Sequence, residues 1–190
     1  MNRTRRCIVS FPVILLTTSV LFTAAFADHD EHKEKREHQK GDHKQNEHRE
    51  KRDLKIVNHT AYKENCGACH FAYPPELLPS GSWSKIVADL PDHFGESVEI
   101  DPEAGKTIGD YLKADAAERS SAATAVKIMK SIGNQTPQRI TEIPYIQKKH
   151  REVSQNVIKR ESIGSLSNCS ACHTTAEKGI YDDDYVKIPK

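Results

Sequence analysis

The chain has 190 residues, with 28 lysines and arginines against 27 aspartates and glutamates, so its formal net charge is +1 at pH 7. This balance, without a clustered basic face, does not favour nucleic acid as a partner. Hydrophobic residues make up only 36 % of the chain. That is little for this length, so we expect part of the chain to be unfolded, or something other than side chains to complete the core.

The first 27 residues have the layout of a secretory signal peptide. A basic start at residues 3–6 precedes an apolar stretch over residues 8–22, and Ala25-Phe26-Ala27 supplies small residues for cleavage. The alternative is a membrane anchor, but the stretch is short for a bilayer span of about 20 residues. We therefore predict a cleaved signal at residues 1–27, a periplasmic protein and no stable membrane insertion.

Residues 28–53 are charged and rich in histidine, and they include no large apolar residue. Such a segment cannot bury enough surface to fold alone, so a disordered tail is predicted. Histidine-rich tracts also bind transition metals, which leaves metal capture as an alternative to a soluble tether.

Beyond Leu54 the pattern indicates helices and no convincing strand pairs, so the class is mainly α. Asp101-Pro102 gives one helix a capping residue and a proline in its first turn, and Gly133-Asn134 ends another. Prolines after His70 indicate an extended wrap. Helices are predicted over residues 54–65, 83–90 (capped by Ser82), 102–113, 116–132, 141–150 (capped by Thr141) and 154–163.

Four of the five cysteines form two C-x-x-C-H motifs, Cys66-Gly67-Ala68-Cys69-His70 and Cys169-Ser170-Ala171-Cys172-His173. This is the attachment sequence for covalently bound haem. Two intervening residues let both thiols reach the vinyl groups on one edge of the macrocycle, and the adjacent histidine presents its imidazole to the iron. The chain is therefore predicted to carry two haem c groups, with His70 and His173 as proximal ligands.

Three other uses of paired cysteines fit less well. A zinc ribbon places its C-x-x-C pairs roughly 15–20 residues apart, much closer than these two motifs. Redox-active C-x-x-C pairs and structural disulfides remain possible in an exported chain, but neither explains a histidine after each motif.

The distance between the motifs predicts two small haem-binding lobes with short helices and long loops. The predicted organisation is a signal peptide (1–27), a charged tail (28–53), an N-terminal haem lobe (54–100), intervening helices (101–140) and a C-terminal haem lobe (141–190).

Each iron needs a second axial ligand on the face opposite its proximal histidine. We favour His93 for the first haem and His150 for the second, although the sequence leaves the exchanged pairing open. His59 is expected to be an ordinary surface side chain. Met129, on an amphipathic helix, is expected to pack in the protein core rather than to bind iron. Aromatic side chains are expected to line the haem faces: Tyr73, Trp83 and Tyr111.

Over residues 62–190 the chain resembles the dihaem cytochrome c family, in the runs CGACHFAYPPELLPSGSW, DLPDHFGESVEID, RITEIPY and CSACHTTAEKGIYDDDYVKIP. The resemblance implies a cytochrome c-like fold and a soluble electron carrier with bis-histidine haems. It carries over onto His70, His93, His150 and His173. It also implies a small monohaem cytochrome or a membrane cytochrome b as the redox partner. The tail at 28–53 departs from the family pattern.

The leading functional hypothesis is electron transfer between a membrane-linked donor and a soluble acceptor. The alternative is a dihaem enzyme such as a peroxidase, which requires one open iron and an acid–base group beside it. A third hypothesis is a metal-handling or sensory role for the tail.

Overall fold

The structure, a computed structural model, describes residues 54–190, so the predictions for the signal peptide and the charged tail lie outside it. The described residues contain helices and two isolated bridges, His93–Glu96 and His173–Val186, but no β-strand, which confirms the mainly α class. The helices are α1 (Thr60–Cys66), α2 (Ser80–Ala88), α3 (Pro102–Ala114), α4 (Ala123–Ile132), α5 (Pro144–His150), α6 (Gln155–Ile158) and α7 (Cys169–Cys172). Short 3₁₀ turns lie at Pro75–Leu77, Leu90–Asp92, Ala117–Arg119, Ile140–Glu142, Ala176–Lys178 and Asp183–Tyr185.

The helices are short. The longest in the described part of the chain, α3, has 13 residues. None of the helices between residues 54 and 190 is long and apolar enough to cross a lipid bilayer.

The first helix begins at Thr60, six residues later than predicted. The imidazole Nδ1 of His59 accepts a hydrogen bond from the Tyr62 amide and caps this helix. The preceding amides are used elsewhere: Leu54 donates to the Gly179 carbonyl, and Lys55 donates to the Glu76 carboxylate. These tertiary bonds replace the first turn that a longer helix would have formed.

Helix α2 begins at Ser80, so the prediction that Ser82 caps it is wrong. The Glu118 carboxylate accepts a hydrogen bond from the Ser80 amide at 3.1 Å. A side chain 38 residues away in the sequence thus satisfies an amide in the first turn of the helix. Ser82 is instead buried inside the helix. In α3 the cap is local and as predicted, because the Asp101 side chain accepts from the Glu103 and Ala104 amides.

The predicted helix over 116–132 is divided in two. A 3₁₀ turn at Ala117–Arg119 is followed by extended backbone at Ser120, and α4 starts only at Ala123. The Ala117 amide donates to the Leu78 carbonyl, so it is not available to a helix. The Ser120 hydroxyl accepts from the Ala122 amide and donates to Glu76.

Two later helices are also shorter than predicted. Helix α5 starts at Pro144 rather than after Thr141, which lies in a 3₁₀ turn. Helix α6 starts after Ser154 as predicted but ends at Ile158 instead of Ile163. After Ile158 the Arg160 guanidinium donates to the Pro189 carbonyl, and Ile163 is buried. Contacts with distant parts of the chain therefore fix the backbone here in place of a longer helix.

One hydrophobic core runs through the described part of the chain. Helix α3 packs against α1 and α2, and α4 packs against α5. The Trp83 indole belongs to this core and donates to the Pro75 carbonyl at 2.8 Å. The fully or nearly fully buried members are Leu54, Tyr62, Leu77, Leu78, Trp83, Ile108, Leu112, Ala116, Ala117, Ala122, Ala125, Ile128, Ile132 and Ile143.

The start of the described chain is fixed to its C-terminal segment. Leu54 is buried, and its amide donates to the Gly179 carbonyl at 2.9 Å. Gly179 has a φ of 72°, and a Cβ atom there would lie 1.9 Å from the Leu54 carbonyl oxygen. Only glycine therefore permits this close approach of the two backbones.

Glu76 is a buried carboxylate that joins three segments. It is 2 % exposed, and it accepts from the Lys55 amide and from the Ser120 hydroxyl. The segment that follows the first motif is thus held to the start of the described chain and to the approach to α4. A buried carboxylate that accepts well-placed hydrogen bonds stabilises the contact between these segments. Removing it would leave the Lys55 amide and the Ser120 hydroxyl without an acceptor.

Replacing this carboxylate should destabilise the whole fold. We expect Glu76→Ala to lower the free energy of unfolding of the haem-loaded protein by about 1–3 kcal/mol, because both donors lose their acceptor. Guanidinium chloride unfolding followed by far-ultraviolet circular dichroism measures the change. The matched control is Glu99→Ala at an exposed position, expected to stay within about 0.5 kcal/mol of the parent. Equal stability of the two variants would contradict the role given to Glu76.

Candidate functional site

The first C-x-x-C-H motif begins on the last residue of α1. Cys66 ends the helix, and the Gly67 amide closes it by donating to the Lys63 carbonyl. The chain then turns outward, so Cys69 and His70 are exposed. The Nδ1 atom of His70 lies 2.8 Å from the Phe71 carbonyl oxygen.

His93 faces His70 across a gap. Their ring centroids lie 6.2 Å apart, and the ring planes differ by only 14°. His93 follows the 3₁₀ turn Leu90–Asp92 and exchanges backbone hydrogen bonds with Glu96. The next residue, Phe94, has a φ of 58°, which is unfavourable for a bulky side chain.

The Arg139 guanidinium holds Phe94 in place. The Arg139 Cζ atom lies 4.2 Å from the centroid of the Phe94 ring, in a cation–π contact. Phe94 itself contacts the His93 ring edge-on at 4.9 Å. In the sequence, Phe94 belongs to the run DLPDHFGESVEID, one of the four that carry the family resemblance.

The second motif forms the short helix α7, and the C-terminal segment secures it. The His173 amide donates to the Cys169 carbonyl. The Lys187 amide donates to the Cys172 carbonyl at 2.9 Å, beside the bridge between His173 and Val186.

His150 faces His173 as His93 faces His70. Their ring centroids lie 5.9 Å apart, but the planes differ by 67°. His150 is the last residue of α5, and its Nδ1 atom lies 2.8 Å from the Ile146 carbonyl oxygen, one turn back. The structure thus brings a second histidine close to the histidine of each motif.

Comparison with known proteins identifies the family. The dihaem cytochrome c family profile matches residues 62–181 of this chain. The chain belongs to the dihaem cytochrome c family. This confirms the resemblance inferred from the motifs, and it means that the protein has two covalently bound haem c groups.

Solved structures of dihaem cytochromes c are similar. The diheme cytochrome c from Rhodobacter sphaeroides is 41 % identical, with a TM-score of 0.60, and the match covers 67 % of this chain and 100 % of that one. A diheme cytochrome type c from Shewanella baltica OS155 is 38 % identical, with a TM-score of 0.56 and coverage of 68 % and 91 %. No curated protein matches the chain.

The paired histidines of this dihaem cytochrome c fit a haem iron. Two imidazoles on opposite sides of one metal, each with a bond of about 2 Å, have ring centroids roughly 6 Å apart. The observed separations, 6.2 and 5.9 Å, agree with this value. At His70 and His150 a backbone carbonyl lies beside Nδ1, so Nδ1 is the donor and Nε2 keeps a free lone pair for a metal.

Burial favours the neutral form of two of these imidazoles. It lowers the pKa of His93, and the neighbouring His70 and Arg139 act in the same direction. It also lowers the pKa of His173, and His150 adds to the effect. The neutral imidazole is the form that binds a metal.

Burial disfavours the thiolate at three of the four motif cysteines. Burial raises the pKa of the Cys169 thiol to about 11, and it also raises the pKa of Cys66 and Cys172. Redox-active C-x-x-C motifs instead lower the pKa of one thiol to activate it. The four cysteines in residues 54–190 form no disulfide, and no group of three or more histidine, cysteine or acidic residues there is arranged to hold a metal ion directly.

The other candidates lie away from these pairs. His59 caps α1 and stacks on Tyr111 at 4.6 Å, so it is half-buried rather than an ordinary surface side chain. Met129 packs against the core as expected. Of the three aromatic side chains expected at the haem faces, Tyr73 stacks on His70, whereas Trp83 lies in the protein core and Tyr111 stacks on His59.

One aromatic neighbour was missed. Tyr181 lies beside His173 with its ring 5.4 Å away, and burial raises the pKa of its hydroxyl well above the ordinary value. Its sequence signal was the ending GIYDDD, in which the tyrosine received no role.

The different ring orientations should make the two haems distinguishable. Parallel imidazole planes split the iron dπ orbitals strongly, whereas nearly perpendicular planes leave them close in energy. We therefore expect the oxidised protein to give two low-spin electron paramagnetic resonance signals in equal amounts. One should be rhombic, from the His70–His93 pair, and the other should have a larger greatest g value, from the His150–His173 pair. A single signal type that accounts for both haems would contradict this difference.

Proposed function

We propose that this protein is a periplasmic electron carrier in which each C-x-x-C-H motif and one distal histidine hold a haem. The thioether bonds form at Cys66 and Cys69 for the first haem, and at Cys169 and Cys172 for the second. The axial ligands are His70 with His93, and His173 with His150.

The observation that carries this proposal is the separation of the paired imidazoles. Each gap is the width that one six-coordinate iron requires, and it occurs beside each of the two motifs. In the exchanged pairing, His93 would have to face His173, although its ring lies beside His70. The proposal therefore assigns His93 to the first motif and His150 to the second, because each lies beside the histidine of that motif.

Bound haem supplies a one-electron couple between ferric and ferrous iron. The chain's part is to keep the ligand geometry unchanged in both oxidation states. The Phe71 carbonyl orients the His70 imidazole through its Nδ1 atom. The Ile146 carbonyl orients the His150 imidazole in the same way, and Phe94 packs against His93. Imidazole on both sides, without methionine, favours reduction potentials that are low among c-type haems.

Partner contact is proposed to be weak and transient, as in other electron-transfer encounters. The proposed contact with a partner is through exposed haem edges. The proposed partners are a small monohaem cytochrome or a membrane cytochrome b. The proposed periplasmic location rests on the signal-like residues 1–27.

No specific observation favours the peroxidase alternative. A peroxidase needs an iron with an open axial position and an acid–base group next to it. Here each motif has an imidazole on the far side of the gap as well as its own.

Removing a distal histidine should change the spin state of one haem only. We expect His93→Ala and His150→Ala each to convert one haem from low-spin to high-spin, while both haems remain attached through their thioethers. Optical and electron paramagnetic resonance spectra measure the spin state, and a pyridine haemochrome titration counts the haems. The matched control is His59→Ala, which should cost about 0.5–2 kcal/mol of stability as a lost helix cap but leave both haems low-spin. A distal variant in which both haems stay low-spin would remove that histidine from the ligand set.

Carbon monoxide distinguishes a carrier from an enzyme. We expect the reduced parent protein not to bind carbon monoxide rapidly, because both axial positions of each iron are taken. His93→Ala should bind one equivalent and serves as the positive control. Rapid binding by the parent protein would favour the peroxidase.

A further inference from the structure

Tyr73 contacts His70 of the first haem site and the segment that leads into the second motif. Its ring stacks on the His70 ring with centroids 5.2 Å apart and planes 24° from parallel. Its backbone is held firmly, because the buried Tyr62 hydroxyl donates to the Tyr73 carbonyl at 2.9 Å and Pro74 and Pro75 follow. The position of the ring is therefore set independently of its contact with His70.

The other end of the side chain reaches Ser167, two residues before the second motif. The Tyr73 hydroxyl donates to the Ser167 carbonyl at 2.7 Å, across 94 positions of sequence. The same carbonyl oxygen accepts from the amide of Cys169 at 2.9 Å. A stacked ring and two hydrogen bonds thus form an unbroken series of contacts from His70 to Cys169.

We propose that Tyr73 positions the two haem sites relative to one another and provides the coupling for electron transfer between them. This rests on the function proposed above. One electron leaves the ferrous iron of one haem and reduces the ferric iron of the other, in whichever direction the potentials favour. The tyrosine is neither oxidised nor deprotonated, since the electron tunnels past its filled orbitals.

The hydrogen bond of its hydroxyl suits Tyr73 to this role. Tunnelling decays more steeply across an empty gap than through bonds or hydrogen bonds, so a hydroxyl in contact with Ser167 shortens the effective path. Phenylalanine would retain the stack on His70 but lose the link to the second site.

The test is the rate of electron exchange between the haems in half-reduced, haem-loaded protein. Exchange spectroscopy of the haem methyl signals by nuclear magnetic resonance gives this rate, and a concentration series separates the intramolecular part from collisions. We expect Tyr73→Phe to slow the intramolecular exchange several-fold and Tyr73→Leu, which also loses the stack, to slow it further. Both midpoint potentials are measured for each variant, so that a change in driving force is separated from a change in coupling.

Tyr111→Phe is the matched control, because it removes a half-buried tyrosine hydroxyl but leaves the Tyr62 bond to Tyr73 and the His70–Tyr73–Ser167 contacts in place. Its exchange rate should equal that of the parent. Unchanged exchange in Tyr73→Phe, or equal slowing in Tyr111→Phe, would overturn the proposal. Haem count and spin state are recorded in parallel. Two low-spin haems with unchanged exchange would refute only the role of Tyr73, whereas a missing or high-spin haem in the parent would refute the proposed function itself.

Discussion

The structure depends on one geometric requirement, that two imidazoles face one another across about 6 Å, twice in one small chain. The attachment motif supplies one member of each pair locally. The other member comes from a separate segment: His93 from a tight turn, and His150 from the end of α5. Much of the surrounding structure, including the Arg139–Phe94 contact and the Lys187 amide bond to Cys172, holds these segments at the required separation.

The two sites meet this requirement in different ways. A turn can present its histidine parallel to His70, whereas the end of a helix fixes His150 by the direction of its last turn and by the Ile146 carbonyl. The sites are not independent, since Leu54 pairs with Gly179 and Tyr73 pairs with Ser167. Few side chains are available for a core, so these backbone and side-chain links unite regions that a larger protein would join by apolar packing.

Local signals gave correct predictions where one short segment supplies its own partners. Asp101 caps α3 with its own side chain, and the proline and glycine signals mark real helix ends at Pro102 and Gly133. Predictions were wrong where a distant group takes over a backbone amide. Glu76 engages the Lys55 amide, Leu78 engages Ala117 and Glu118 engages Ser80. No local pattern in the sequence indicates these partners, because each is set by how separate segments pack together.

The sequence by itself determined the chemistry of the protein: four cysteines and two adjacent histidines spaced for covalent haem, in a mainly helical chain of the dihaem cytochrome c family. The reason is that a C-x-x-C-H motif is complete within five residues and needs no tertiary information. Only the tertiary structure decided which distal histidine faces which motif, how the ring planes are oriented, and that Tyr73 spans the space between the sites. These features depend on the distances between segments far apart in the chain, which are fixed by packing and long-range hydrogen bonds.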